Sequence, residues 1–180
     1  MERHGNIMNK VIGIGGVPAS GKTTLMVELM ARFDDLTKVR LGKLKGYHSA
    51  KHNAYILGIY NGALFQGTDK LSMTAVTDLY KLCRVKSGIT VIFEGDRFFS
   101  RKVFETLEAS GTECTKFICQ TEKQSERIIE RGSEQSEQFL KAKATKTENL
   151  RDLENLTTLD NNTPEQCRTN ATLIFNQITK

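Results

Sequence analysis

The sequence predicts an α/β fold in which a central parallel sheet carries helices on both sides, and three observations support it. A short β-branched run, VIGIG at 11–15, ends in glycine as a buried strand does. From Thr23 the apolar spacing changes to that of a helix, with Leu25, Met26, Leu29, Met30 and Phe33 recurring at three and four residues. Further apolar runs then alternate with helical stripes, and strands joined through helices pair in parallel.

The elements follow in order. A second strand is expected near Val39 to Leu44, and AYILGIY (54–60) reads as another strand or a buried edge. Met73 to Val85, with Val76, Leu79, Tyr80, Leu82 and Cys83 apolar, reads as a helix that Gly88 ends. ITVIFEGD (89–96) sets four apolar residues before an acid and is the strongest strand signal in the chain. Val103, Phe104 and Leu107 form a helical stripe stopped by Gly111, and KFICQ (116–120) is a further strand. Beyond Glu122 the pattern is mainly helical. Ile128 and Ile129 lie on a charged helix ending at Gly132, Phe139 and Leu140 on a second, and Leu150, Leu153 and Leu156 on a third. Thr163-Pro164-Glu165-Gln166 opens the last helix with an N-cap, a proline at the first position and a glutamine three residues after the cap. Cys167, Ala171, Ile174 and Ile178 then share a face.

A chain of 180 residues, 38% hydrophobic and 26% charged with two prolines, fits one globular domain. No apolar stretch is long enough to span a bilayer, and MERHGNIMNK lacks the apolar run of a secretory signal, so no membrane partner and a cytoplasmic location are expected. Cys83, Cys114, Cys119 and Cys167 show no metal-ligand spacing and read as reduced, mostly buried thiols. His4, His48 and His52 form no recognised ligand pattern either. The formal net charge is +5, but no acid lies between Asp35 and Asp69, where Lys38, Arg40, Lys43, Lys45 and Lys51 fall among Tyr47, Tyr55 and Tyr60. That segment is either an ordinary solvated face or an anion-facing surface whose rings suit stacking on bases.

Chemistry concentrates at GGVPASGKTT (15–24). Gly16 to Thr23 reads G-x-x-x-x-G-K-T between a strand and a helix, which is the phosphate-binding P-loop in its required setting. Gly16, Ala19, Ser20, Gly21, Lys22, Thr23 and Thr24 are expected to bind the nucleotide, with backbone N–H groups and the helix dipole facing the phosphates. Lys22 is placed to reach the β and γ phosphates and the Thr23 hydroxyl to ligate Mg²⁺. ATP is preferred to GTP because no N-K-x-D guanine-reading motif occurs. Glu94 ends the TVIF strand, followed by Gly95, Asp96 and Arg97, at the strand end where acids meet the metal and γ-phosphate. Glu94 or Asp96 would act as base, Asp96 with Thr23 as metal ligand, and Arg97 as the group steadying the acceptor. Lys22 and Arg97 complete the catalytic set. Asp69, in the loop after Gly67 and Thr68, either hydrogen-bonds the acceptor or caps the next helix, and Lys43, Lys45 and Tyr47 are candidate acceptor contacts.

A P-loop followed by D-R-F at 96–98 resembles the thymidylate and deoxynucleoside kinase group, whose members carry a DR[YF] or ERS element facing the phosphates. The resemblance implies a three-layer P-loop NTPase fold and phosphoryl transfer, with a helical lid at about 122–146 in which Arg127 and Arg131 close over ATP. Their alternative is surface pairing with Glu126, Glu130 and Glu134. FQGTDKLSM (65–73), IFEGDRFF (92–99) and TKTENL (145–150) resemble the small P-loop kinases of bacteriophages that hypermodify thymine, the 5-hydroxymethyluracil DNA kinases. That resemblance implies ATP as donor, the hydroxyl of 5-hydroxymethyluracil within DNA as acceptor, a host-cell cytoplasmic location, and Lys146 and Asn149 reaching the nucleotide. Two other readings stand beside it: a kinase of a free nucleoside or nucleotide, and an NTP-binding regulatory module without transfer chemistry. No LSGGQ signature of a transport ATPase occurs.

Overall fold

Strand β1 (Lys10–Gly16) lies inside the sheet, the middle one of its five parallel strands, and presents a side to each of two cores. The computed structural model describes residues 7–63 and 66–179; Phe65, which opens the FQGTDKLSM stretch, and His4 lie outside the described residues. Ile12 and Ile14 point to one core with helix α1 (Lys22–Met30) and the last helix, α6 (Pro164–Ile178). Val11 points to the other, with α2 (Ala75–Val85) and α3 (Arg101–Ala109). Gly13 and Gly15 leave room on that side for aromatic rings: a Cβ on Gly13 would lie 2.6 Å from Phe104 and one on Gly15 2.4 Å from Phe99. Phe93, Phe98, Phe99 and Phe104 pack there as edge and stacked pairs.

Among the described residues the sheet has seven strands, in the order β2 (Thr37–Leu41), β3 (Leu44–Ser49), β4 (Ala54–Leu57), β5 (Thr90–Glu94), β1, β6 (Glu113–Gln120), β7 (Leu156–Asp160). Strands β4, β5, β1, β6 and β7 are parallel neighbours. Helices cover both faces, so the chain has the three-layer α/β P-loop architecture that the sequence predicts. α4 (Gln124–Glu130) and α5 (Glu137–Glu148) follow β6, and neither contains a buried residue.

Four expectations need correction. The strand expected at Val39–Leu44 is a hairpin: β2 turns through Gly42, at φ +62°, into β3, which pairs antiparallel with both β2 and β4 at the sheet edge. AYILGIY leaves the sheet after Leu57 because Gly58, at φ +129°, packs on Gly67, where a Cβ would lie 2.6 Å from the Gly67 carbonyl carbon. The KFICQ strand starts earlier, at Glu113. The helix expected over Leu150, Leu153 and Leu156 does not form. Turns at 150–155 fold Leu150 and Leu153 back onto the core, and Leu156 starts β7, whose Thr157 and Thr158 suit an extended chain. The final helix begins as its sequence dictates, with Thr163 and Gln166 exchanging side-chain bonds in a capping box and Pro164 in the first turn.

All four cysteines are free and buried. Burial pushes the thiol of Cys83 up to about 11 and those of Cys114 and Cys119 up to about 12. No helix of the described residues is long and apolar enough to cross a membrane.

Candidate active site

The carboxyl ends of β1 and β5 open into a cleft of about 780 Å³, counting its mouth. Its floor is the loop between β1 and α1. Gly16, at φ +137°, turns the chain so tightly that a Cβ would lie 2.3 Å from the Cys119 carbonyl oxygen. Gly21, at φ +90°, opens α1 without a side-chain cap, and no acid stands in that helix's first turn. The first N–H groups of α1 and the positive end of its dipole are therefore open to an anion. Ser20 Oγ is buried in this loop and has no hydrogen-bond partner among the described residues. Lys22 Nζ donates to the carbonyl oxygens of Gly16 at 2.8 Å and Val17 at 3.0 Å, which folds the ammonium over the loop. The anion cradle, the lysine and the hydroxyl of Thr23 fit a nucleoside triphosphate.

Glu94 forms the wall. It is 2% exposed, and Thr23 Oγ1 donates to its Oε1 at 3.2 Å. Burial raises its pKa to about 7; the nearby charges of Asp69 and Asp96 add to this, while Lys22 and the Thr23 hydrogen bond oppose it. Gly67, in the segment before a 3₁₀ turn at Thr68–Lys70, lies against this carboxylate, and a Cβ there would stand 2.1 Å from Oε1. Thr68 Oγ1 donates to the Glu94 carbonyl at 2.7 Å and fixes the turn to the strand end. Asp96 is shifted the other way. Burial works to raise its pKa, but the Lys143 hydrogen bond and the charges of Lys146 and Lys22 outweigh this and leave it below its ordinary value.

The structure brings Gly16, Ala19, Lys22, Thr23, Asp69, Glu94, Asp96 and Arg131 to this one cleft. Gly21, Thr24 and Arg127 line a second hollow behind the loop, beside Asn161, Thr163 and Pro164. Arg127 is spoken for there: its guanidinium donates to the carbonyls of Asn161 at 2.8 Å and Asn162 at 3.2 Å. Neither Arg127 nor Arg131 pairs with a glutamate among the described residues. Arg97 and Asp69 hold each other, since Asp69 Oδ1 accepts from Arg97 N at 2.9 Å and Arg97 Nη2 donates to the Asp69 carbonyl at 3.0 Å. Asp69 does not cap α2, whose N-cap is Thr74. Lys43 sits on the hairpin turn with Nζ donating to Thr74 Oγ1, outside the cleft. Lys45 and Tyr47 line a separate shallow groove with Lys38, Arg40 and Tyr60. Asn149 is the C-cap of α5, its carbonyl accepting from Arg101, while Lys146 Nζ donates to the Asp96 carbonyl at 3.4 Å.

Sequence reasoning missed the roof and the back of this site. Phe139, Gln135 and Lys143 overhang the cleft from α5 and the segment before it. Asn161 underpins the loop, donating from Nδ2 to the Ser20 carbonyl at 3.1 Å. A signal for it exists in the sequence: two asparagines stand just before the capping box, after a strand whose preceding leucines have helical spacing. For a divalent metal, no cluster of three or more His, Cys, Asp or Glu occurs among the described residues. Thr23 with Glu94 or Asp96 suits an ion that arrives with the phosphates, as Mg²⁺ does.

No family model matches the chain, and no curated protein matches it. Among solved structures it is similar to an unliganded sugar kinase from Janibacter sp. HTCC2649, with 16% identity, a TM-score of 0.45, and 94% of this chain and 95% of that one covered. It is also similar to a gluconokinase from Sinorhizobium meliloti 1021, with 13% identity, a TM-score of 0.44 and 96% and 97% covered.

Proposed function

We propose that the chain is an ATP-dependent phosphotransferase that passes the γ-phosphoryl group to the hydroxyl of a small acceptor, a free nucleoside or nucleotide. One observation carries this reading: Glu94, a carboxylate 2% exposed whose burial pushes its pKa up to about 7, touches the Thr23 hydroxyl and shares a cleft with the P-loop lysine. A base poised at neutral pH is what an alcohol acceptor needs and what simple nucleotide binding does not. ATP supplies the phosphoryl group, and Mg²⁺ bound with it offsets phosphate charge.

In this reading the loop N–H groups, Ser20 and Lys22 hold the triphosphate, and Arg131 lies over it from the roof. The Thr23 hydroxyl would ligate an Mg²⁺ that arrives with the phosphates. Glu94 accepts the proton of the acceptor hydroxyl as that oxygen bonds to phosphorus and the bond from phosphorus to the ADP oxygen breaks. Asp96 is the poorer base, because its lowered pKa reduces its proton affinity. Asp69 and Arg97 shape the acceptor side together.

A second reading, with 5-hydroxymethyluracil in DNA as acceptor, is favoured by the groove of the edge hairpin. Register pairs Lys38 with Tyr47 and Arg40 with Lys45, so three cations and a ring share one face, beside Tyr60. None of the three cations forms an ion pair among the described residues. Such a face suits a phosphate backbone with a stacked base. Labelled ATP offered with a panel of free nucleosides and nucleotides, including 5-hydroxymethyldeoxyuridine, and with DNA containing 5-hydroxymethyluracil decides between them. Label on a free compound supports the first reading, and label on DNA alone supports the second. ATP binding with no acceptor labelled in any arm returns the chain to a regulatory nucleotide-binding module.

A further inference from the structure

α5 stands over the cleft with no buried residue of its own, so apolar packing does little to place it. Two lysines one turn apart do: Lys143 forms an ion pair with the Asp96 carboxylate, and Lys146 Nζ donates to the Asp96 carbonyl. Lys143 Nζ also lies 5.2 Å from the centre of the Phe139 ring, one turn earlier on the same helix. Lys143 of α5 and Lys22 of the P-loop thus line the same cleft, and the charges of both act on Asp96. An ammonium has three N–H donors, and the Asp96 pair leaves donors of Lys143 unused.

We propose that Lys143 is the roof's contact to the terminal phosphate of the donor, and that Asp96 is the positioning residue that holds Lys143 over the P-loop rather than a metal ligand or the base. The proposal rests on the phosphotransferase reading and assigns this pair within it. The geometry favours it because the Asp96 carboxylate is engaged by Lys143, whereas the carboxylate that touches the Thr23 hydroxyl is that of Glu94. A lysine held this way contributes a charge-assisted bond to a third phosphate and little to the first two.

The test is calorimetric binding of MgATP and MgADP to the full chain. Lys143→Ala is expected to weaken MgATP about 30-fold and MgADP by less than about threefold, the loss of one charge-assisted hydrogen bond. Lys143→Arg should keep the preference for ATP. Asp96→Asn, nearly isosteric, should weaken MgATP about fivefold and leave the Mg²⁺ concentration for half-saturation unchanged. The double variant should bind no worse than Lys143→Ala alone, since the two residues act as one unit. Without nucleotide, amide exchange in α5 should quicken in either single variant. The proposal is overturned if Lys143→Ala affects both nucleotides alike or neither. It also falls if the two losses add, if Asp96→Asn raises the Mg²⁺ requirement about tenfold, or if α5 exchange is unmoved. A wild-type protein that binds neither nucleotide overturns the phosphotransferase reading itself, and this one with it.

Discussion

Replacing Glu94 with glutamine separates the chemical role of this residue from its structural cost. The unfolded chain holds the carboxyl at an ordinary 4.5, and the fold raises it to about 7. That difference corresponds to about 3 kcal/mol. The folded protein holds the proton more tightly than the unfolded chain, so wild type should lose stability as pH rises from about 4.5 to about 7 and stay level above. The amide of the Glu94→Gln variant carries no charge to desolvate, and its oxygen can still accept from Thr23. Urea unfolding at half-unit steps from about pH 4.5 to about pH 8 should therefore give curves that start together. Glu94→Gln should end more stable by up to about 3 kcal/mol at about pH 7.5, while losing about 10²- to 10⁴-fold in transfer rate. The wild-type rate should climb with pH through about 7 as the carboxyl ionises. Parallel stability curves would show that Glu94 is not a buried, raised carboxyl, and a variant with full transfer would remove it as the base.

Three further outcomes follow from the same geometry. Lys22→Ala should weaken MgATP by about 50-fold or more with an unchanged circular dichroism spectrum, because the ammonium serves the loop and its anion, not the core. Gly67→Ala places a side chain at φ +77° and against the Glu94 carboxylate, and should lower the urea midpoint by an amount equivalent to about 2 kcal/mol while cutting transfer. Lys116, 1% exposed, pairs with the half-exposed Glu108 and donates to the Glu154 carbonyl at 2.9 Å. Glu108→Gln should cost about 1–2 kcal/mol by thermal melting, and adding Lys116→Met should restore most of it, since removing both charges removes the unpaired one.

Parts of the fold were legible where local chemistry and tertiary demand agree. VIGIG followed by a helical stripe, TVIF before an acid, and the Thr163–Gln166 capping box each form what their own residues favour. The hairpin was missed because Gly42 and Lys43 look like part of one strand until the turn is seen, and an edge pair buries too little on either side to show strict alternation. β7 was missed for a different reason. Leucines at 150, 153 and 156 have helical spacing, but they reach the core through turns, and only pairing with β6 makes Leu156–Asp160 a strand.

The same distinction explains the site. Its floor is one continuous loop whose residues, Gly16, Gly21, Lys22 and Thr23, are fixed in type by the backbone path and, in the proposed reading, by the phosphate they would face, so a single stretch announces them. The wall and roof are assembled from Gly67, Glu94, Asp96 and Lys143, which lie on separate segments of the chain and meet only after folding. Glu94 was visible because it ends a strand. Lys143 was not, because among the lysines of KAKATK nothing local marks the one that meets Asp96. A phosphate cradle made of backbone N–H groups needs one contiguous stretch of chain, whereas a pocket made of side chains can draw on separate elements. The proposed acceptor side is thus where experiment adds most, and the DNA reading of the cationic face of β2 and β3 can be measured. If DNA binds there, neutralising Lys38, Arg40 and Lys45 together should reduce the salt dependence of DNA binding by about three phosphate contacts without touching MgATP affinity. An unchanged salt slope would leave the small cleft as the whole of the acceptor site.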